Sequence, residues 1–235
     1  MDNVYFIIPA YNEEENIQTV LNDWYDVVEQ CGSQSRLIVI DDGSKDSTYS
    51  IMQEFAKTHT QFEPITKPNS GHGATILYGY RYALNQKADY IFQTDSDGQT
   101  NPAEFADFWE KRNDYDMVIG RRSKRKDGCS RRFVAKVLKL VILLSFHENV
   151  TDANTPFRLM KSETLAKYIN LVPNDYNLTN VLISIIFAKK KCKINYIPIT
   201  FRPRQGGVNS INIKSILEIG KKAIKDFYVI RKNLK

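Results

Sequence analysis

Residues 90–99 read Tyr-Ile-Phe-Gln-Thr-Asp-Ser-Asp-Gly-Gln. An uncharged run, Tyr90 to Gln93, passes at once into two carboxylates at i and i+2 and a glycine. A short apolar run without polar alternation fits a strand covered on both faces, as in a parallel sheet. The acidic residues then mark its carboxyl end. The same unit occurs twice upstream. Val4 to Pro9 (VYFIIP) runs into Tyr11-Asn12-Glu13, and Leu37 to Ile40 (LIVI) runs into Asp41-Asp42-Gly43-Ser44. Helical patterns fill the gaps. Asn12 is a suitable N-cap for a helix carrying Ile17, Val20, Leu21 and Trp24, with Glu13 to Glu15 in its first turn. Asp46 or Ser47 can cap a helix with Ile51, Met52 and Phe55. Ala74 to Leu84 reads as a third helix, and Asn101-Pro102 starts a fourth with Phe105, Phe108 and Trp109 on one side. Further strands are expected at Phe62 to Thr66 and Met117 to Ile119. Strands alternating with helices predict an α/β fold, a mostly parallel sheet flanked by helices. Ligands of such sheets lie at the carboxyl ends of the strands, so the three polar ends should converge on one site.

The second half is less regular. Arg131 to Phe146 reads as an amphipathic helix, Thr155 to Met160 as a strand, and Leu178 to Lys189 as an apolar helix. Ile194 to Phe201 alternates like a strand, and Pro198 within it suits an edge. Ile211 to Lys235 predicts a C-terminal amphipathic helix rich in lysine. No linker separates the halves, so residues 1–235 are expected to form one domain.

Composition narrows the classes. Of 235 residues, 42% are hydrophobic and 26% charged, with 12 Phe and 13 Tyr, which excludes intrinsic disorder as the main state. Cys31, Cys129 and Cys192 lie far apart, which argues against a disulfide framework and for a reducing, cytoplasmic compartment. The start Met1-Asp2-Asn3 has no basic leader, and the longest apolar run, Leu140 to Phe146, is far short of the ~20 residues of a membrane span. The net charge of +6 is concentrated: residues 121–139 hold nine Lys and Arg against Asp127. A polyanionic partner fits that asymmetry. A solvated basic face is the plainer explanation, and with no nucleic-acid-binding motif present, nucleic acid is not expected as the partner.

Asp95 and Asp97, with Gln99 two residues on, can present oxygens to a hard cation such as Mg²⁺ or Mn²⁺, which completes its shell from substrate phosphates. Asp, Ser and Gly also make ordinary turns, but the preceding buried strand favours the metal. Asp42 can accept hydrogen bonds from a ribose or a base. Gly71-His72-Gly73 could let a phosphate approach the backbone, although Ile76 stands where a dinucleotide fingerprint needs glycine. No phosphate-binding G-x-x-x-x-G-K-[S/T] loop is present. His59, His72 and His147 are scattered and read as structural. An acidic regulatory module is a non-enzymatic alternative, but it leaves Asp95-x-Asp97-x-Gln99 unexplained.

VYFIIPAYNEEENI, LIVIDDGSKDST, NSGHGATILYGYRYAL, YIFQTDSDGQTNP, DMVIGRR and TDANTPFRLMKSE, in this order, resemble glycosyltransferase family 2. The likeness is to the branch of dolichyl-phosphate mannosyltransferase and related polyprenyl-phosphate sugar transferases, from residue 4 to about 210. It implies a GT-A (Rossmann-like) fold, a UDP- or GDP-linked sugar donor, a divalent metal (Mg²⁺ or Mn²⁺) and inversion at the anomeric carbon. It further implies that Pro9, Tyr11 and Glu13 hold the base, that Asp42 contacts base or ribose, and that Gly73 joins the donor site. Asp95 would lie beside ribose and metal, with Asp97 and Gln99 as metal ligands. Arg122 would contact diphosphate or acceptor phosphate, Arg202 and Arg204 would close on the donor, and Arg131 and Arg158 would serve the acceptor. Residues 1–120 would then bind the donor and 121–235 the acceptor. The GRR triplet departs from the family's Gly-Ser/Thr-Arg, which leaves Arg121 competing with Arg122.

A saccharide acceptor, as in capsule or cell-envelope polysaccharide synthesis, needs a general base, for which Asp152 and Asp175 are the isolated candidates. A polyprenyl phosphate is already an anion and needs cations instead, which this half supplies as arginine. That tilts the expectation toward a lipid phosphate at the inner face of the cell membrane. The basic apolar helices make an anionic membrane surface a candidate partner.

Overall fold

The computed structural model describes residues 2–122, 129–202 and 227, and of residues 129–136 the backbone alone. Seven strands form one sheet in the order β3-β2-β1-β4-β6-β5-β7. They are β1 Val4–Ala10, β2 Arg36–Asp41, β3 Phe62–Thr66, β4 Tyr90–Gln93, β5 Met117–Arg122, β6 Arg158–Lys161 and β7 Ile194–Ile199. The helices are α1 Ile17–Gln30, α2 Thr48–Ala56, α3 His72–Asn85, α4 Phe105–Glu110, α5 Cys129–Phe146, α6 Ser162–Tyr168 and α7 Thr179–Lys189. Strand β1 pairs in parallel with β2 and β4, β2 with β3, and β5 with β7. Strand β6 alone runs antiparallel, between β4 and β5. The expected α/β sheet is therefore present, and β7, with Pro198, lies at its edge. The expected terminal helix from residue 211 lies outside the described residues, apart from Phe227, which is helical and packs its ring 5.2 Å from Phe146.

Alternate residues of β1 feed opposite cores. Phe6 and Ile8 join Trp24, Phe92, Phe105 and Phe157 on one face of the sheet. Ile7 joins Ile76, Tyr80, Ile119, Leu182 and Ile186 on the other, under α3 and α7. Period-two alternation is what a strand buried on both faces requires. After β1 the chain winds outward through β2 to β3, then returns to the opposite side of β1 with β4. The crevice at such a reversal is the ligand position of open α/β sheets. Here it lies between the ends of β1 and β4.

One local expectation is corrected. Helix α1 begins at Ile17 with Asn16 as its N-cap, and Asn12 is left-handed at φ 53°. The acidic run does not form the first helical turn, because its groups are stapled to the loop after β2. Asn12 N–H donates to Ser44 Oγ (2.9 Å), Lys45 N–H to Asn12 Oδ1 (2.8 Å), Glu13 N–H to Thr48 Oγ1 (2.8 Å) and Ser47 N–H to Glu14 Oε2 (3.0 Å). These long-range bonds satisfy the backbone without a helix and fix the two loops to one another at the sheet edge.

Candidate active site

The ends of β2, β1 and β4 lie side by side and bring Asp42, Tyr11, Glu13 and Asp95 to one edge, as the sequence predicts. Each is held differently. Asp42 is buried, and its two oxygens accept from Ser70 N–H and Gly71 N–H, both at 2.9 Å, and from the Lys67 ammonium. Burial opposes its charge, but Lys67, Ser70 and Thr75 together hold its carboxyl below the usual carboxylate range. Asp42 thus fastens the loop that leads into α3. Its neighbour Asp41 is equally buried, accepting from Ser44 N–H (3.1 Å) and the Thr66 hydroxyl (2.7 Å). Glu13 is buried and accepts from Asn16 Nδ2 at 2.8 Å, while Pro9 is enclosed within β1. Tyr11 is 39% exposed, so its ring has a face to offer a base.

Gly73 has a packing role. A Cβ there would meet Tyr176 O at 2.3 Å and the Asn177 carbonyl at 2.4 Å. The glycine is demanded by the close approach of α3 to the loop before α7, and that side of its Cα is filled by protein. The sequence marks the preceding His72 as structural, yet its Nε2 stands 3.6 Å from Asp95 Oδ1, with the imidazole largely exposed. A lone histidine in a glycine loop gives no spacing signal, so only the fold reveals this proximity.

The loop after β4 is bound to Phe201 and Arg202. Thr100 bridges to Phe201, Arg202 N–H donates to Gln99 O (2.7 Å), and Gln99 Nε2 donates to Arg202 O (2.8 Å). The Arg202 guanidinium donates to Asn101 Oδ1 at 2.9 Å. Arg202 therefore sits beside the Asp95–Gln99 loop, while Arg204 lies outside the described residues. Gln99 N–H donates to Asp97 Oδ1 at 3.1 Å, which curls the loop around the second carboxylate. Among the described residues no three His, Cys, Asp or Glu side chains cluster as a protein-only cation cage. Asp95, Asp97 and Gln99 lie on one loop and could offer side-chain oxygens to Mg²⁺ or Mn²⁺, which keep waters and take substrate phosphates as remaining ligands.

The arginines divide sharply. Arg122 makes a bidentate pair with Asp152, Nε to Oδ2 at 3.0 Å and Nη2 to Oδ1 at 2.6 Å, and its guanidinium carbon lies 5.3 Å from the centre of the Phe201 ring. Its own N–H also donates to Asp152 Oδ2. Arg121 is exposed near the end of β5, and its side chain makes no hydrogen bond or ion pair with a described residue. Of the two it is the one open to a ligand. Arg158, expected to meet the acceptor, is fully buried. Its guanidinium donates to the carbonyls of Thr155, Asn180 and Ala153 at 2.6–3.1 Å and to Ser184 Oγ at 3.2 Å. With its donors turned onto the protein interior, Arg158 is a core cross-brace and not a surface phosphate contact. The Arg131 side chain lies outside the described ones. Asp175 lines an open groove of about 510 Å³ on the outer face of α3, with Lys67, Tyr78 and Arg81.

Known proteins place this arrangement. An uncharacterized protein of Methanocaldococcus jannaschii is 31% identical over 95% of this chain and 98% of its own length. A dolichyl-phosphate beta-glucosyltransferase of Trichomonas vaginalis is 25% identical over 89% of this chain, which spans 68% of that protein. An undecaprenyl-phosphate 4-deoxy-4-formamido-L-arabinose transferase of Pectobacterium atrosepticum is 23% identical over 80% of this chain and 61% of its own length. The fold is that of glucosyl-3-phosphoglycerate synthase from Mycobacterium tuberculosis, solved with Mn²⁺ and UDP-glucose, at a TM-score of 0.70 and 16% identity, covering 98% of this chain and 79% of that one. The sheet and its flanking helices are thus those of a GT-A glycosyltransferase. The model of glycosyl transferase family 2 matches residues 5–169, and the chain belongs to that family.

Proposed function

We propose that this glycosyltransferase inverts configuration, depends on Mg²⁺ or Mn²⁺, and moves a sugar from a UDP- or GDP-linked donor to a polyprenyl phosphate at the inner face of the cell membrane. The observation that carries the acceptor assignment is the Arg122–Asp152 pair. A hydroxyl acceptor needs a carboxylate to take its proton. Asp152 is the candidate nearest the end of β5, and both its oxygens are engaged by Arg122. A phosphate acceptor dispenses with that step, because its oxygen attacks as an anion. Two relatives whose names carry dolichyl phosphate and undecaprenyl phosphate support the same reading.

In this proposal residues 1–120 bind the donor. Tyr11 stacks on the base, Asp42 and Lys67 shape the pocket behind it, and Asp95, Asp97 and Gln99 hold the cation. When bound, the cation offsets the charge that builds on the departing diphosphate. Arg202 adds positive charge beside that loop, and Arg121 is placed to meet a phosphate from the acceptor side. No helix of the described residues is long and apolar enough to cross a membrane. Helix α5 instead exposes Val137, Leu140, Leu143 and Leu144 at 41–65%. Positions i, i+3, i+6 and i+7 share one helical face, which suits contact with lipid.

The test uses purified protein, Mg²⁺ or Mn²⁺, and labelled nucleotide-sugars with and without polyprenyl phosphate. Metal-dependent label in the organic phase, lost in Asp97→Ala, is the expected result. Donor turnover with label only on saccharide would overturn the lipid acceptor and make Asp175 the next carboxylate to test.

A further inference from the structure

Asp95 is not an isolated loop carboxylate. Its Oδ1 accepts from Gln93 Nε2 at 3.1 Å, and the same amide nitrogen donates to Thr94 O. Gln93 Oε1 accepts from Asn180 Nδ2 at 2.9 Å, and Asn180 Oδ1 accepts from the Tyr80 hydroxyl at 2.9 Å. Gln93 and Tyr80 are fully buried and Asn180 is 3% exposed. The chain therefore joins β4, α7 and α3 through the core beneath the strand ends. Arg158, opposite Gln93 in the sheet, locks the Asn180 carbonyl in place.

The chain has one permitted direction. An ionised carboxylate accepts only, so it must meet the nitrogen end of Gln93. The oxygen end of Gln93 then faces Asn180, which must present its own nitrogen, and its oxygen is left for a hydroxyl. Tyr80 supplies that hydroxyl and stays protonated, because burial pushes its phenol well up. Reversing any amide would set oxygen against oxygen in a buried, poorly screened place, and such networks hold only when every member is satisfied. The other oxygen, Oδ2, makes no hydrogen bond or ion pair with a described residue. We infer that Gln93, Asn180 and Tyr80 form a buried relay of positioning residues that anchors Asp95 by Oδ1 and keeps Oδ2 aimed at the cation and donor. The inference deepens the proposed function and rests on its metal reading.

The experiment is Mn²⁺ binding followed by the EPR signal of the free ion, with and without UDP, on the full chain. Asn180→Ala breaks the relay at its centre, and Tyr80→Phe removes one hydroxyl from its far end. Thr164→Val is the control, since it deletes a partly buried bond to Asp116 (2.8 Å) that takes no part in the relay. Outer-shell partners typically govern metal affinity by 10–100-fold, so Asn180→Ala is expected to weaken Mn²⁺ binding at least about tenfold. One net hydrogen bond converts to about two- to tenfold for Tyr80→Phe. Thr164→Val should bind Mn²⁺ as the wild type does. Should Asn180→Ala fail to fold, Tyr80→Phe carries the test alone. Wild-type affinity in the folded relay variants, or an equal loss in Thr164→Val, would overturn the relay while leaving the metal reading intact. A wild-type protein that binds no Mn²⁺ would overturn both.

Discussion

Replacing Arg158 by methionine separates a core brace from a phosphate contact. The guanidinium makes five hydrogen bonds inside the protein. Ser184 Oγ lies 2.8 Å from Asn180 O and 3.1 Å from Ala153 O, and its single proton can serve one of these two carbonyls when Arg158 is lost. Thr155 O receives both of its donors from Arg158 and would be left buried with none among the described residues. An orphaned buried carbonyl costs about 1–3 kcal/mol, and charge-assisted bonds contribute about 1.5–3 kcal/mol each. Removing the buried charge works in the opposite direction, since desolvating a cation costs several kcal/mol that the variant no longer bears. Methionine fills most of the volume, so cavity terms are small. The balance is a loss of about 3 kcal/mol. For a chain of this size that lowers the Tm by about 6–12 °C. Urea unfolding should show a lower midpoint at unchanged m. An arginine that met acceptor phosphate at a surface would behave otherwise, with acceptor KM raised and the midpoint unmoved. A variant as stable as the wild type with impaired acceptor use would refute the brace.

Gly73→Ala should cost about 2–3 kcal/mol in urea unfolding, because the backbone atoms at 2.3–2.4 Å cannot swing aside as a flexible side chain would; a neutral substitution would restore the open glycine loop. A double-mutant cycle of Arg122→Ala and Asp152→Ala should give a coupling of about 1–3 kcal/mol, and additive effects would mean the pair is not formed in solution. Asp42 has its pKa depressed on folding, so its contribution is complete above the unfolded value of about 3.9 and is lost as pH falls through the folded value. Asp42→Asn should therefore flatten the acid limb of stability below about pH 4, and an unchanged limb would show that Lys67 and the 70–71 backbone do not hold the carboxylate.

How much of this could be read from the sequence follows from the range of the interactions. The strands at Phe62 to Thr66 and Tyr90 to Gln93 were legible to the residue, because apolar runs and their polar ends are local signals. The convergence of Asp42 and Asp95 was legible too, since parallel order forces carboxyl ends to one edge. The start of α1 was not. Asn12 and the glutamates after it have every local preference for a helix turn, but bonds to Ser44, Lys45, Ser47 and Thr48, more than thirty residues on, override it. The fate of each arginine was hidden for the same reason. Nothing near Arg158 in the chain distinguishes it from Arg121, yet one is enclosed by residues 153–155 and α7 and the other is exposed.

The antiparallel strand links these cases. By running back between β4 and β5, β6 sets Arg158 opposite both Gln93 and Ile119. That placement puts a buried cation directly behind the strand that carries the acidic site. It also ends the preceding loop at the tip of β5, where left-handed Asp152, at φ 47°, captures Arg122. A carboxylate held on both oxygens by a guanidinium is poorly placed to take a proton from an incoming hydroxyl, whereas exposed Arg121 beside it can face an anion. The strand that a purely parallel sheet would lack thus determines which arginine is engaged and which is exposed, and under the proposed function that division suits an acceptor that brings its own negative charge.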